Sequence, residues 1–199
     1  MTIALIDTGC ANLASVRFAL ERAGLDYQVV TRPDETGGCD RLILPGVGAA
    51  SPAMARLRKL GWDVALKDET RPVLGICLGM QMLFERSAEG DVACLGLIPG
   101  GIEKLPTPTD GVWPHMGWNA LEFGDPEDPL LAGLDAGAYV YFVHGFYAPP
   151  GPATRASSTY GTGISAVVRH GNIAGCQFHP ERSGATGARI LTNFAKGSA

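Results

Sequence analysis

Val73-Leu74-Gly75-Ile76-Cys77-Leu78-Gly79-Met80-Gln81 is the stretch on which the reading of this chain turns. Val73 to Ile76 is a short apolar run suited to a fully buried strand, and from Gly79 to Arg86 (GMQMLFER) the apolar residues recur at helical spacing. A cysteine thus stands where a strand gives way to a helix, with a glycine two residues to either side. A sharp strand-to-helix turn of this kind strains the backbone of the residue at its apex, and small neighbours keep the turn from clashing. A helix N-terminus favours a thiolate and offers backbone N–H groups to an oxyanion. Cys77 is therefore the candidate nucleophile, whereas Cys10, Cys39, Cys94 and Cys176 lack the glycine bracket and read as structural.

Outward from this elbow the pattern repeats. Ile3 to Asp7 is a buried-type run, followed by a turn at Thr8-Gly9 and a helix carrying Leu13, Val16, Leu20 and Ala23, with Gly24 as its stop. Tyr27 to Thr31 and Arg41 to Pro45 are the next strands. Ser51-Pro52 offers an N-cap and a proline at the first helical position for a helix bearing Met54, Leu57 and Leu60, and a second helical stretch spans Trp62 to Leu66. Alternating strand and helix predict an α/β fold, an open and largely parallel twisted sheet with helices on both faces. From Leu95 to Arg169 the segments turn short and β-like, broken by glycine and proline, which predicts antiparallel additions in the second half. His170-Gly171-Asn172 reads as a hairpin turn before Ile173 to Phe178, and Ala185 to Lys196 as a last helix ending at Gly197.

The 199 residues predict one domain spanning 1–199, with no linker or repeat to divide it. A formal charge of −4 and the lack of a basic run argue against a nucleic-acid partner. Five cysteines, an odd number without a CxxC pair, suit a reducing compartment better than a disulfide scaffold. No signal peptide opens the chain and no apolar run approaches the ~20 residues of a membrane span. The expectation is a soluble, cytoplasmic protein.

A thiol nucleophile needs a base, and Gln177-Phe178-His179-Pro180-Glu181-Arg182-Ser183 supplies one at the end of the last strand. Parallel sheets gather reactive groups at the C-terminal ends of their strands, so His179 can reach Cys77, and Glu181 can hold the imidazole in its productive tautomer. Leu44-Pro45-Gly46-Val47-Gly48 closes another strand, and a backbone N–H from Gly46, Val47 or Gly48, beside that of Leu78, would complete an oxyanion hole. His115 and His144 lie among aromatic residues as core or interface histidines, and His170 as an exposed one. The cysteines and histidines lack metal-ligand spacing, so no metal is expected.

Taken together, Pro45 to Gly48, Gly75 to Gln81 and His179 to Ser183 resemble the triad-type (class I) glutamine amidotransferases. Pro114-His115-Met116-Gly117-Trp118-Asn119 and Tyr141-Phe142-Val143-His144 are similar, within that family, to the glutaminase subunits serving imidazole glycerol phosphate synthase. The resemblance covers essentially the whole chain. It implies hydrolysis of glutamine through a Cys77 glutamyl-thioester, without a cofactor, and passage of ammonia to a (β/α)8-barrel cyclase in a heterodimer. It also implies that Gln81, Glu89, Tyr141, His144 and Ser183 bind glutamine and that Asn12, Trp118, Asn119, Tyr141 and Arg182 face the partner. Gly145 departs from the pattern, since the family more often carries a small hydroxyl residue there. A loop that rests with its N–H turned away from the site and flips on activation is expected at Pro45 to Gly48. The alternatives are an amidotransferase feeding anthranilate, aminodeoxychorismate or pyridoxal phosphate synthesis, a catalytically silent docking subunit, and a solitary cysteine hydrolase.

Overall fold

Every residue of Val73–Cys77 is buried, as a strand covered on both faces requires. The computed structural model describes residues 1–109 and 111–197; Asp110, within the turn-rich Pro106 to Gly111 stretch, and residues 198–199 lie outside it. The first half runs β1 (Thr2–Ile6), α1 (Leu13–Arg22), β2 (Asp26–Val30), β3 (Arg41–Gly46), α2 (Ala50–Leu60), α3 (Trp62–Ala65), β4 (Val73–Cys77) and α4 (Leu78–Met82). The chain continues through β5 (Phe84–Ser87), β6 (Val92–Ala93), β7 (Ile98–Lys104), β8 (His115–Ala120) and β9 (Glu122–Phe123). It finishes with β10 (Tyr139–His144), β11 (Phe146–Tyr147), β12 (Thr154–Tyr160), β13 (Thr162–His170), β14 (Ile173–Cys176) and α5 (Gly184–Lys196).

The central sheet has the order β2-β1-β3-β4-β14-β13-β12-β9. Strands β2 to β14 in that order pair in parallel, and β13, β12 and β9 extend the sheet antiparallel. The alternation of side chains divides the core in two. Ile3, Leu5, Ile43 and Leu74 pack with Val16 and Leu20 of α1 and Ile190, Leu191 and Phe194 of α5 on one face. Ala4, Ile6, Leu42 and Leu44 meet Met54 and Leu57 of α2, Trp62 of α3 and Met80 of α4 on the other. Helices thus cover both faces, as the strand–helix alternation predicted. The second half adds an antiparallel ribbon of β8 and β10 and a small sheet of order β11-β7-β5-β6.

Two local readings need correction. The helix expected over Gly79 to Arg86 stops at Met82, and Phe84–Ser87 is a strand. Tertiary pairing overrides the helical spacing there: the carbonyls of Met82, Leu83 and Phe84 accept the N–H groups of Leu95, Leu97, Ile98 and Gly96. Ser51 does not cap α2. The helix starts two residues earlier, behind an extended Ala49 without a capping side chain, and the N–H of Ala50 is accepted instead by the Glu89 carboxylate at 2.8 Å. The hairpin before β14 is present, with His170 opposite Ile173 across Gly171-Asn172; His170 ends the strand and is exposed.

Candidate active site

The elbow is bent as its glycines predicted. Cys77 has φ 53° and ψ −113°, a left-hand conformation that non-glycine residues avoid. The bracket is a steric requirement. A Cβ on Gly79 would stand 1.9 Å from the Leu44 carbonyl oxygen, and one on Gly75 would stand 2.6 Å from Cα of Met80. Only glycine lets α4 lie this close to β3 and β4.

Because β4 and β14 are parallel neighbours, with Ile76 opposite Cys176, both chains emerge at the same sheet edge. That register brings His179 to the cleft that Cys77 also lines, near enough for the two side chains to influence each other. On its other side the ring meets Glu181, with Nδ1 2.7 Å from Oε1. Both residues of this pair are nearly enclosed. Burial works to lower the imidazole pKa, but contact with Cys77 and Glu181 outweighs it and raises His179 to about 10. The resting ring is therefore an imidazolium at neutral pH, wedged between sulfur and carboxylate. The other thiols contrast with this setting. Burial pushes Cys94 up to about 11 and raises Cys39 and Cys176 as well, so none of these three is a thiolate near neutrality.

A cleft of about 260 Å³ opens over Cys77. Leu78, Val47 and Gly48 line one side; Gln81, Glu89, His144, Gly145 and Phe146 line the floor and far wall; Asn12 and Arg182 stand at the rim. The Val47 N–H donates to the Cys10 carbonyl at 2.8 Å, and Cys10 is not among the residues lining the cleft. Gly46 sits beneath the loop, packed against Gly79 so closely that a Cβ would lie 2.7 Å from the Gly79 nitrogen.

The remaining expected residues divide. Gln81 is buried in the floor, its Nε2 donating to the Phe146 carbonyl at 2.8 Å and to Gln177 Oε1 at 2.9 Å. Glu89 shares its carboxylate between the cleft and the first turn of α2. His144 donates from Nδ1 to the Phe146 carbonyl and meets His115 through Nε2 at 3.0 Å. Burial lowers both histidines to about 4. Ser183 and Tyr141 lie outside the cleft wall. The Ser183 hydroxyl donates to the His179 carbonyl at 2.6 Å and accepts the Tyr141 N–H at 2.9 Å, so it fastens the histidine's backbone to β10. Trp118 is half exposed on the outer face of the β8–β10 ribbon, edge-on to Tyr141, whose ring also carries the Arg182 guanidinium at 5.2 Å. Asn119 faces the opposite way and donates to the Thr159 carbonyl.

Three participants escaped the sequence reading. Gln177, fully buried, extends its Nε2 to 3.9 Å from the Cys77 sulfur; the available signal was one polar residue in the apolar run Ile173 to Phe178. Trp113 fills the space a side chain at 145 would need, its Cζ2 2.5 Å from the position of a Gly145 Cβ and its Nε1 donating to the Gly145 carbonyl. Gly187 lets α5 approach the turn that carries Glu181, since a Cβ there would meet the Pro180 carbonyl at 1.9 Å.

Comparison with known proteins shows the family and the fold. Residues 4–197 match the family described as Glutamine amidotransferase class-I. The chain is 54% identical over 193 residues to the imidazole glycerol phosphate synthase subunit HisH of Xanthomonas euvesicatoria pv. vesicatoria, with 96% of each chain covered. It is 46% identical over 210 residues to the HisH subunit of Shewanella oneidensis, covering 98% of this chain and 95% of the relative. Among solved structures, a chain of PurLQS from Thermotoga maritima superposes with a TM-score of 0.73 at 19% identity, covering 97% and 96% of the two chains. A glutamine amidotransferase from Thermotoga maritima gives 0.63 at 18% identity, covering 98% and 82%. These structures share the fold.

Proposed function

The chain belongs to the class-I glutamine amidotransferases, as a glutaminase subunit of imidazole glycerol phosphate synthase in histidine biosynthesis, and on that premise we propose how its residues do the work. The observation that carries the reading is the contiguous line of Cys77, His179 and Glu181 at one sheet edge, with the His179–Glu181 contact at 2.7 Å. The Cys77 thiolate adds to the carboxamide carbon of glutamine, and the oxygen takes up the negative charge. His179, held protonated by its two partners, gives its proton to the departing nitrogen, and ammonia leaves as the thioester forms. The imidazole, now neutral, takes a proton from water, whose oxygen attacks the thioester carbon; glutamate departs and the thiolate is restored. Glu181 keeps Nδ1 protonated and Nε2 aimed at the reacting atoms throughout.

Glu89 receives the substrate's α-ammonium, Gln81 offers its free carbonyl oxygen beside it, and the backbone of Gly145 and Phe146 holds the carboxylate end. Leu78 provides one oxyanion N–H. The second comes from the Gly46–Gly48 loop once Val47 lets go of the Cys10 carbonyl, so the loop state described above is an idling one. Ammonia is mostly ammonium in neutral water and inert as a nucleophile in that form, so a receiving active site must lie against the cleft. The partner is a (β/α)8-barrel cyclase, docked as a heterodimer on the face bearing Asn12, Trp118, Tyr141 and Arg182. Among the described residues no helix is long and apolar enough to cross a membrane, which suits a cytoplasmic complex.

Mixing the chain with the cyclase and its phosphoribulosyl nucleotide substrate is the test. Glutamine-dependent imidazole glycerol phosphate should form only in the mixture, and glutamate release should rise at least tenfold over the free chain. Equal glutamate release with and without the loaded partner would overturn the idling loop, and synthesis by a Cys77→Ala variant from glutamine would overturn the nucleophile.

A further inference from the structure

Gln177 occupies the last position before the Phe178-His179 turn, with no exposed surface, and its amide lies between two parts of the site. Its Oε1 accepts from Gln81 Nε2 at 2.9 Å, and its Nε2 lies 3.9 Å from Cys77 Sγ. Which end of such an amide faces which neighbour is settled by partners that cannot exchange roles. The Phe146 carbonyl is that partner here. A carbonyl oxygen only accepts, so Gln81 must present its NH2 group to it, at 2.8 Å. The second N–H of the same group then points at Gln177, which must answer with its oxygen, leaving the Gln177 NH2 toward the sulfur. The same carbonyl takes the Nδ1–H of His144 at 2.9 Å, and His144 Nε2 then accepts from His115 Nδ1. Both rings are neutral at any pH well above about 4, so this polarity does not reverse in the working range.

We infer that Gln177 is a positioning residue whose amide, oriented through Gln81 by the Phe146 carbonyl, gives the Cys77 sulfur a hydrogen-bond donor and holds the Gln81 carbonyl oxygen toward the cleft. A donor at that place favours the sulfur while it carries negative charge, as the attacking nucleophile and as the leaving group when the thioester breaks down. The fixed Gln81 oxygen is the acceptor for the substrate's ammonium. The inference rests on the reading of Cys77 as nucleophile and adds a residue to it.

Two substitutions at this position separate the role from mere packing. Gln177→Met keeps the volume and removes both polar ends; Gln177→Glu keeps an acceptor for Gln81, and keeps a donor for the sulfur only while the carboxyl is protonated. Titratable groups around the site are Cys77, Glu89, His144, His179 and Glu181, with Arg182 at the rim. They are common to wild type and variants, so the variant-to-wild-type ratio isolates position 177. Glutamate release from glutamine is followed from pH 6 to 9 with the full chain assembled with the cyclase. For Gln177→Met, kcat should fall about tenfold with a rise in KM, at every pH. For Gln177→Glu, the kcat ratio should decline as pH rises and the carboxyl ionises, with KM close to wild type at the acid end. A Gln177→Met enzyme within twofold of wild type in kcat, or a Gln177→Glu ratio that stays flat with pH, overturns the inference. If Gln177→Met does not fold, the Gln177→Glu enzyme decides alone, since it is compared with itself across pH. A Cys77→Ala chain that still releases glutamate in this assay shows instead that the nucleophile was misassigned.

Discussion

At the scale of single residues, the site is a set of exact substitutional limits. Cys77 reaches the cleft at the cost of φ 53° and ψ −113°, a conformation in which a Cβ is strained and glycine is not. The expected outcome is that Cys77→Gly and Cys77→Ala are equally inactive, while the glycine variant unfolds at higher denaturant, by about 1 kcal/mol. Equilibrium unfolding of the two variants checks this, and an alanine chain as stable as the glycine chain would remove the strain argument. Gly145 has a similarly definite reason. A side chain at 145 has no room, because the Trp113 indole occupies the position of its Cβ. Trp113 is distant in sequence, so the departure at 145 was visible in the sequence while its compensation was not.

At the scale of elements, the first turn of α2 joins the Val47–Gly48 loop to Glu89. The loop ends at Gly48, the helix begins at Ala50, and among the described residues the Glu89 carboxylate is the side chain that caps that first turn. Glu89 is itself positioned by its N–H to the Ser87 hydroxyl at 3.1 Å, at the end of β5. Two roles of one carboxylate predict separable variants. Glu89→Gln keeps an oxygen for the Ala50 N–H, so its melting temperature should stay near wild type while KM for glutamine rises at least tenfold through loss of charge. Glu89→Ala should lose the same affinity and also about 1 kcal/mol of stability with the cap. Equal melting of the two variants would separate Glu89 from α2. The sequence showed Ser51-Pro52 as a local cap and gave no sign of this distant one, because capping by a residue 39 positions away is created by the fold.

At the scale of the whole molecule, three buried histidines set the pH dependence of stability in opposite directions. His115 and His144 are lowered to about 4, so between that value and their unfolded pKa near 6.5 the unfolded chain binds more protons, and stability falls as pH drops through this window. His179 is raised to about 10, so its contribution is complete below about 6.5 and is lost as pH climbs toward 10. Stability should peak near neutrality, and melting scans from pH 4.5 to 9.5 should show His144→Gln flattening the acid limb and His179→Gln the alkaline one. The ribbon of β8 and β10 makes the other prediction at this scale. It leaves Met116, Trp118 and Tyr139 exposed, and Trp118→Ala should weaken cyclase binding at least tenfold by calorimetry without changing the melting temperature. The sequence by itself determined the parallel α/β core, the elbow at Cys77 and the identities of His179 and Glu181, because these follow from local periodicity, from glycine's lack of a Cβ and from the chemistry a thiol requires. The tertiary structure alone decided which way the Val47 N–H points, that Glu89 caps α2, that Ser183 braces backbone away from the cleft and that Gln177 meets the sulfur. Each of these depends on groups brought together from strands far apart in the chain, where a hydrogen bond's direction is set by a partner that no local pattern records.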